Sequence, residues 1–308
     1  MNKATALLWV AVILWGVAIA PTKWALESFS PLLLMFFRLL FSGILFAPYV
    51  LRKKKLKGMS IPWLRLFILS FTGVAGYFML TSSGISLTSG THASIIDASL
   101  PLFIILFAAL YLKEKVTYMQ WIGLAIGIFG VLLISLPMQN AGTLEMNGSS
   151  FIGDMLILAS TWLFAFYTIQ MKRPQAEAKL PSEAFTALTL SLGAIIVFPF
   201  ALVEVFVYGW PEHITAKSWW SLCFLVIGPS IMAYWCWNKA LEKVSGATSG
   251  FYMNMLPLIS ILASIVLLQE QMTVRILIGG AFVLLGVGIA EKASRSQQKE
   301  ALCNLISE

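Results

Sequence analysis

Ten mostly apolar stretches, separated by short polar links, run through this chain at 4–26, 31–51, 63–83, 91–112, 119–136, 151–171, 182–206, 219–238, 248–268 and 274–290. A helix rises about 1.5 Å per residue, so about 20 such residues cross the roughly 30 Å hydrocarbon core of a bilayer. A helix also satisfies its backbone hydrogen bonds within itself, which lipid demands of any spanning segment. The pattern therefore predicts an all-α integral membrane protein of ten spans. The spans use about two thirds of the chain, and only short loops are left to join them.

Composition agrees. Of 308 residues, 59% are hydrophobic and 11% charged, against about 45–50% and about 25% in soluble domains. A water-soluble fold of this length has no core large enough for that excess, and a disordered chain needs the opposite bias. The formal charge of +7 does not mark a nucleic-acid partner, because the basic residues lie between apolar runs. Cys223, Cys236 and Cys303 form neither a CxxC pair nor a disulfide framework. His92 and His213 lie far apart, and no HExxH, GxxxxGK[ST] or GxSxG occurs. No metal, cofactor, ATP-driven step or enzyme activity is expected. Lys3 followed by an apolar stretch imitates a signal peptide, but the nine further stretches favour an uncleaved first span.

The basic residues set an orientation. Arg52, Lys53, Lys54, Lys55 and Lys57 follow the second span and predict a cytoplasmic loop that touches anionic lipid headgroups. Ten spans then put both termini in the cytoplasm. Lys3, Arg65, Lys113, Lys115, Lys172, Arg173, Lys179, Lys239, Lys243, Lys292, Arg295 and Lys299 fall on the same side. Only Lys23, Lys217 and Arg275 fall outside, and Arg38 lies within a span. The predicted location is the cell membrane, inner or plasma.

The two halves resemble each other. At an offset of 156 residues Ser89-Gly90 falls on Ser245-Gly246, Pro101 on Pro257, Glu114 on Glu270, Thr117 on Thr273, Gly123 on Gly279 and Gly130 on Gly286. Trp15 falls on Trp162 at a slightly different offset. Each half holds five spans, an odd number, so the second copy enters the membrane from the opposite side. Such inverted repeats are an architecture of secondary transporters, with the solute held near the midplane between the copies. The expected domains are a first repeat over 1–137, an extracytoplasmic loop over 138–150, a second repeat over 151–291 and a polar cytoplasmic tail over 292–308.

Trp15-Gly16 with Lys23, Arg38, Ser89-Gly90-Thr91-His92-Ala93-Ser94, and Leu112-Lys113-Glu114-Lys115-Val116-Thr117 with a glycine-rich fifth span form one unit. Its second copy carries Lys239-Ala240-Leu241, Val244-Ser245-Gly246-Ala247 and Leu268-Gln269-Glu270-Gln271-Met272-Thr273. In order and duplication these resemble the EamA repeat of the drug/metabolite transporter superfamily, over nearly the whole chain. The resemblance implies a ten-helix transporter whose central cavity is formed by spans one, three, four, six, eight and nine. Members move amino acids, other metabolites or toxic organic compounds, commonly outward. The second copy departs from the pattern, with Thr189 in place of Arg38 and Leu163 in place of Gly16.

Charged residues inside spans are costly and mark functional candidates. Arg38 and Asp97 lie seven and six residues into spans that start on the same side, each about 10 Å deep, so a salt bridge between them is geometrically open. Such a bridge is either a static brace or a coupling and gating pair. His92 either shuttles protons, which would couple transport to them, or serves as a hydrogen-bonded residue at a helix end. Trp15, Tyr77, Trp162 and Tyr234 are candidates for an aromatic wall suited to amphipathic solutes, or else pack between helices. Asn254 precedes Pro257 as Ala98 precedes Pro101, and both prolines are candidate kinks. The glycines of spans five and ten allow close helix packing within a monomer, or a homodimer contact. Glu114 and Glu270 are read as tying down span ends near Lys115 and Arg275, without contact to solute.

The expected activity is transport of a small organic metabolite, an amino acid or related amphipathic solute, by alternating access and outward. The runner-up is multidrug efflux, which requires a membrane carboxylate not neutralised by Arg38. A membrane-embedded enzyme or receptor scaffold is the reading from another class, and the residues for convergent catalytic chemistry are lacking.

Overall fold

The computed structural model describes residues 3–52, 62–113, 116–135, 148–172, 182–241, 252 and 255–307. The described residues are helical throughout apart from short links, with no strand among them. Eight helical segments are long and apolar enough to span a bilayer: Ala4–Leu26, Pro31–Pro48, Trp63–Leu87, Gly90–Tyr111, Tyr118–Ser135, Gly148–Met171, Ala184–Tyr208 and Ala216–Trp237. Two shorter apolar helices, Leu256–Leu268 and Val274–Ala290, occupy the ninth and tenth positions. The protein is thus an all-α membrane protein built from two inverted repeats. Asn254 lies outside the described residues. The last helix runs from Val274 to Ser307, so the polar tail begins as a continuation of span ten.

Four spans are interrupted near their middles. Span one breaks at Ala18, between Lys3–Val17 and Ile19–Leu26. Span four breaks at Ala98-Ser99, between Gly90–Asp97 and Leu100–Tyr111. Spans three and eight, which are related by the repeat, each carry a π-helical turn, at Phe71–Ala75 and Val226–Met232. Such turns cluster at functional sites because the widened ladder leaves carbonyls available. Pro101 and Pro257 both stand in the first turn of a helix, where no backbone donor is needed. Ser89 starts the span-four helix by accepting a bond from the His92 amide at 3.0 Å.

Packing runs almost wholly between the repeats. Span one lies along span eight and span six along span three. Span one also meets nine, and six meets four; two pairs with seven, five with ten, and four with nine. Exchanging the repeats maps this pattern onto itself. The crossing of spans five and ten shows the symmetry at atomic scale. A Cβ at Gly286 would stand 2.5 Å from the Gly123 carbonyl oxygen, and one at Gly130 would stand 2.6 Å from that of Gly279. Repeat exchange converts the first contact into the second. The glycine stripe is used inside the chain, where backbones approach too closely for any side chain.

The symmetry fails at the two ends of the bundle. At the end that carries Lys23, the Ile19–Leu26 half of span one packs on Ala216–Leu225 of span eight, on Gly76–Leu87 and Gly90–Asp97, and on span nine. Among the described residues, no comparable packing joins span six to Trp63–Ser70 or Ala233–Leu241 at the Arg52 end. There Arg65 Nη2 donates to the Gln170 carbonyl at 3.2 Å. Among the described residues, the second half of span six thus packs less closely on its neighbours at the Arg52 end than the second half of span one does at the Lys23 end.

Candidate functional site at the repeat interface

Between the repeats, where the four interrupted spans meet, polar and aromatic side chains collect. Trp15 sits just before the break in span one and crosses to span eight, where its Nε1 donates to the Pro229 carbonyl at 2.9 Å. Pro229 lies within the π turn, and that turn makes its carbonyl accessible. The Trp15 ring meets Tyr234 edge to face at 5.3 Å and Trp237 at 5.5 Å. On the other side Tyr77 meets Phe164 at 4.9 Å, and Phe164 meets Tyr167 at 5.4 Å. Trp15 with Tyr234 and Phe164 with Tyr77 join corresponding pairs of spans in the two repeats, one on eight and six on three.

Arg38 enters this centre from span two. It is only 5% exposed. Its Nε donates to Ser230 Oγ at 2.9 Å, and its guanidinium carbon stands 4.4 Å over the Phe78 ring. Asp97 ends the first helix of span four, and its Oδ1 accepts from Thr161 Oγ1 at 3.3 Å. The two charges are not an ion pair. Ser230 and Phe78 hold the guanidinium toward spans eight and three, while Thr161 holds the carboxylate toward span six. Equal depth makes a bridge geometrically open, but depth does not fix which way either side chain turns.

Other candidates stand elsewhere. His92 belongs to the Lys23 end: its Nδ1 lies 3.0 Å from Asp154 Oδ2. Asp154 is 1% exposed and also accepts from Thr88 Oγ1 at 2.5 Å. This cluster pins spans three and four to span six. Trp162 is 46% exposed and packs against Phe103 and Phe107 of span four, at 5.4 and 6.0 Å. It does not join the central group. Glu270 does not bind Arg275 but crosses to span four, as described below. Among the described residues no group of His, Cys, Asp or Glu is arranged to hold a metal.

Several central residues escaped the sequence reading. Ser230 and Phe78, the partners of Arg38, carry no charge and stand out in no pattern. Phe164 was passed over for Trp162, two positions earlier. Asp154 lies three residues inside the stretch 151–171 and carries a readable signal, an acidic residue within a span.

Two inverted repeats closing on a polar, aromatic midplane centre define a membrane transporter fold. The EamA-like transporter family matches residues 2–136 and 151–290, both repeats, and the chain belongs to that family. It is 28% identical over 287 residues to an "uncharacterized transporter" of Archaeoglobus fulgidus, covering 93% of this chain and 98% of that protein. It is 27% identical to YvbV of Bacillus subtilis, also named an uncharacterized transporter, over 98% of this chain and 95% of that one. It is 25% identical to the protein PecM of Dickeya dadantii, over 92% and 91% of the two chains. A solved structure sharing 20% identity superposes with a TM-score of 0.62 over 94% of this chain and 98% of its own, which supports the fold.

Proposed function

We propose that this protein is a secondary transporter that moves a small organic metabolite, an amino acid or related amphipathic solute, out across the cell membrane by alternating access. One observation carries the reading. The packing is symmetric under repeat exchange in the middle of the bundle and asymmetric at its ends. Two nearly equivalent packings of one repeat give two states of similar energy, and exchanging the asymmetry between the ends opens one end as it closes the other. The basic residues assign the Arg52 end, with both termini, to the cytoplasm. On this reading the Lys23 end, the more closely packed one among the described residues, faces outside.

A cationic-drug efflux reading draws on Asp97, a carboxylate that Arg38 leaves unpaired. A hydrophobic cation bound there would leave Arg38 uncompensated in the same centre, which counts against that reading. The test is counterflow in proteoliposomes with amino acids, other metabolites and cationic drugs, with and without a pH gradient. Saturable exchange of a metabolite is the expected result. Absence of exchange for every class tested would defeat the transporter reading, and exchange of cationic drugs alone would replace it with the runner-up.

A further inference from the structure

We infer that Asp97 and Thr161 form a proton-binding site across the repeat interface, and that the proton taken up and released there drives the solute. The inference rests on the transporter reading and names the coupling ion for it. The Thr161 hydroxyl carries one hydrogen, and two oxygens stand within its reach: the Ile157 carbonyl at 2.9 Å and Asp97 Oδ1 at 3.3 Å. The shorter contact has the stronger claim on that hydrogen. With the hydrogen on Ile157, the contact to Asp97 lacks a donor unless Asp97 brings one. A protonated carboxyl does so, giving its O–H to a lone pair of Thr161 Oγ1. When the proton leaves to water, the hydroxyl turns and its hydrogen moves from Ile157 to the ionised Oδ1. One rotating hydroxyl thus serves both protonation states, and no other described donor reaches the Asp97 carboxyl.

The surroundings suit a carboxyl that can lose its charge. Asp97 is half-buried inside span four and ends the helix Gly90–Asp97, where the backbone dipole disfavours an anion. No ion pair among the described residues includes it. Packed on Gly90–Asp97 are the second half of span one, the Gly76–Leu87 half of span three, and spans five, six, nine and ten. Within them the titratable groups are Lys23, Tyr77, Tyr118, Asp154, Tyr167 and Arg275; Leu256–Leu268 of span nine carries none. Lys23 pairs with Glu270, Asp154 with His92, and Arg275 donates to the Leu133 carbonyl. Arg38, on span two, keeps Ser230 and Phe78 whichever form Asp97 takes. Losing the charge on Asp97 therefore breaks no ion pair. The contact also joins the repeats, since Asp97 stands at the break of span four and Thr161 on span six. Rocking one repeat against the other changes how well the two meet, so the two states hold the proton with different affinity.

The proton itself is the first probe. The full-length protein in lipid is titrated from alkaline to acidic pH and followed by infrared difference spectroscopy. The carbonyl band of a protonated carboxylic acid should appear and should be missing in Asp97→Asn. In Thr161→Val, where the acid has lost the acceptor for its O–H, the band should lie at higher frequency. In proteoliposomes, a pH gradient should drive net accumulation of the solute that exchanges in counterflow. That accumulation should fall at least tenfold in Asp97→Asn, while Asp97→Glu, which keeps a titratable group, retains part of it. Should Asp97→Asn fail to insert, the displaced band in Thr161→Val decides whether the acid meets this hydroxyl. No band assignable to Asp97, a band that Thr161→Val does not move, or undiminished accumulation in folded Asp97→Asn would overturn the assignment. So would solute exchange that ignores the gradient, an outcome that leaves the transporter reading standing. Absence of all exchange would defeat that reading and take the coupling role with it, whatever the infrared titration shows at Asp97.

Discussion

The Glu270 carboxylate, from the end of span nine, binds Thr91 at the start of span four twice, accepting from its amide at 2.7 Å and its hydroxyl at 2.6 Å. The other oxygen takes the Gly90 amide at 2.7 Å and lies 3.6 Å from Lys23 Nζ of span one. One side chain thus caps a helix, whose N-terminus favours an anion, and joins three spans at the Lys23 end. In the proposed alternating-access cycle, opening that end is expected to separate Lys23 from Glu270.

Replacing Glu270 by Gln keeps an acceptor for the helix but removes the charge that holds Lys23. A partly exposed ion pair at 3.6 Å contributes about 0.2–1 kcal/mol, so the closed state should lose a factor of up to about five against the open one. The readout is alkylation of Thr22→Cys, in a background without native cysteines, by a membrane-impermeant maleimide applied from the Lys23 side. The rate should rise by up to about fivefold in proportion to that shift. An unchanged rate would show that Glu270 does not hold this end shut.

The crossing of spans five and ten gives a prediction about stability without chemistry. Gly286→Ala places a methyl group 2.5 Å from the Gly123 carbonyl oxygen. Neither backbone can yield without separating the helices, and overpacking of this kind costs about 1–3 kcal/mol. Thermal unfolding in detergent should begin several degrees lower. Exchange per folded molecule should match wild type, since neither glycine reaches the central group. A stability equal to wild type would mean the crossing is looser than its geometry indicates.

His92 and Asp154 invite a proton-coupling role, but their geometry is that of a brace. Asp154 binds both His92 and Thr88 at the Lys23 end, away from Arg38 and Asp97. Asp154→Ala leaves Thr88 and His92 without their shared acceptor and should destabilise by about 1–3 kcal/mol, whereas Asp154→Asn retains a bond to Thr88 and should lose less. His92→Gln should leave the ratio of flux with and without a pH gradient unchanged. A collapse of that ratio in a well-folded His92→Gln protein would make the pair a coupling site instead.

Spans and repeats were readable because apolar length and residue identity at a fixed offset are properties of the chain alone. The site was readable only as an inventory: Trp15 meets Tyr234, Tyr77 meets Phe164, and Arg38 lies over Phe78. Their partners were not readable, because hydropathy does not say which helix a side chain faces. Trp162 shows the limit. Aligning it with Trp15 matches identity, but Phe164, two residues on, makes the contact with span three. At about 100° per residue those two positions point to nearly opposite sides of a helix. Arg38 and Asp97 failed as a pair for the same reason, since equal depth carries no information about rotation.

That rotation separates two tryptophans that the alignment treats as equals. Trp15→Phe keeps a ring against Tyr234 but loses the bond from Nε1 to the Pro229 carbonyl, which is left without that donor at the π turn. A net hydrogen bond of about 1 kcal/mol lost where span one meets span eight should change KM or maximal exchange about fivefold. Trp162→Ala removes a half-exposed ring from Phe103 and Phe107. It should lower thermal stability and leave the KM of the remaining folded protein near wild type. Measuring counterflow and unfolding on both variants separates the two roles. If Trp162→Ala instead changed KM as much as Trp15→Phe, the central site would have to extend outward between spans four and six, to the face where Phe103 and Phe107 lie.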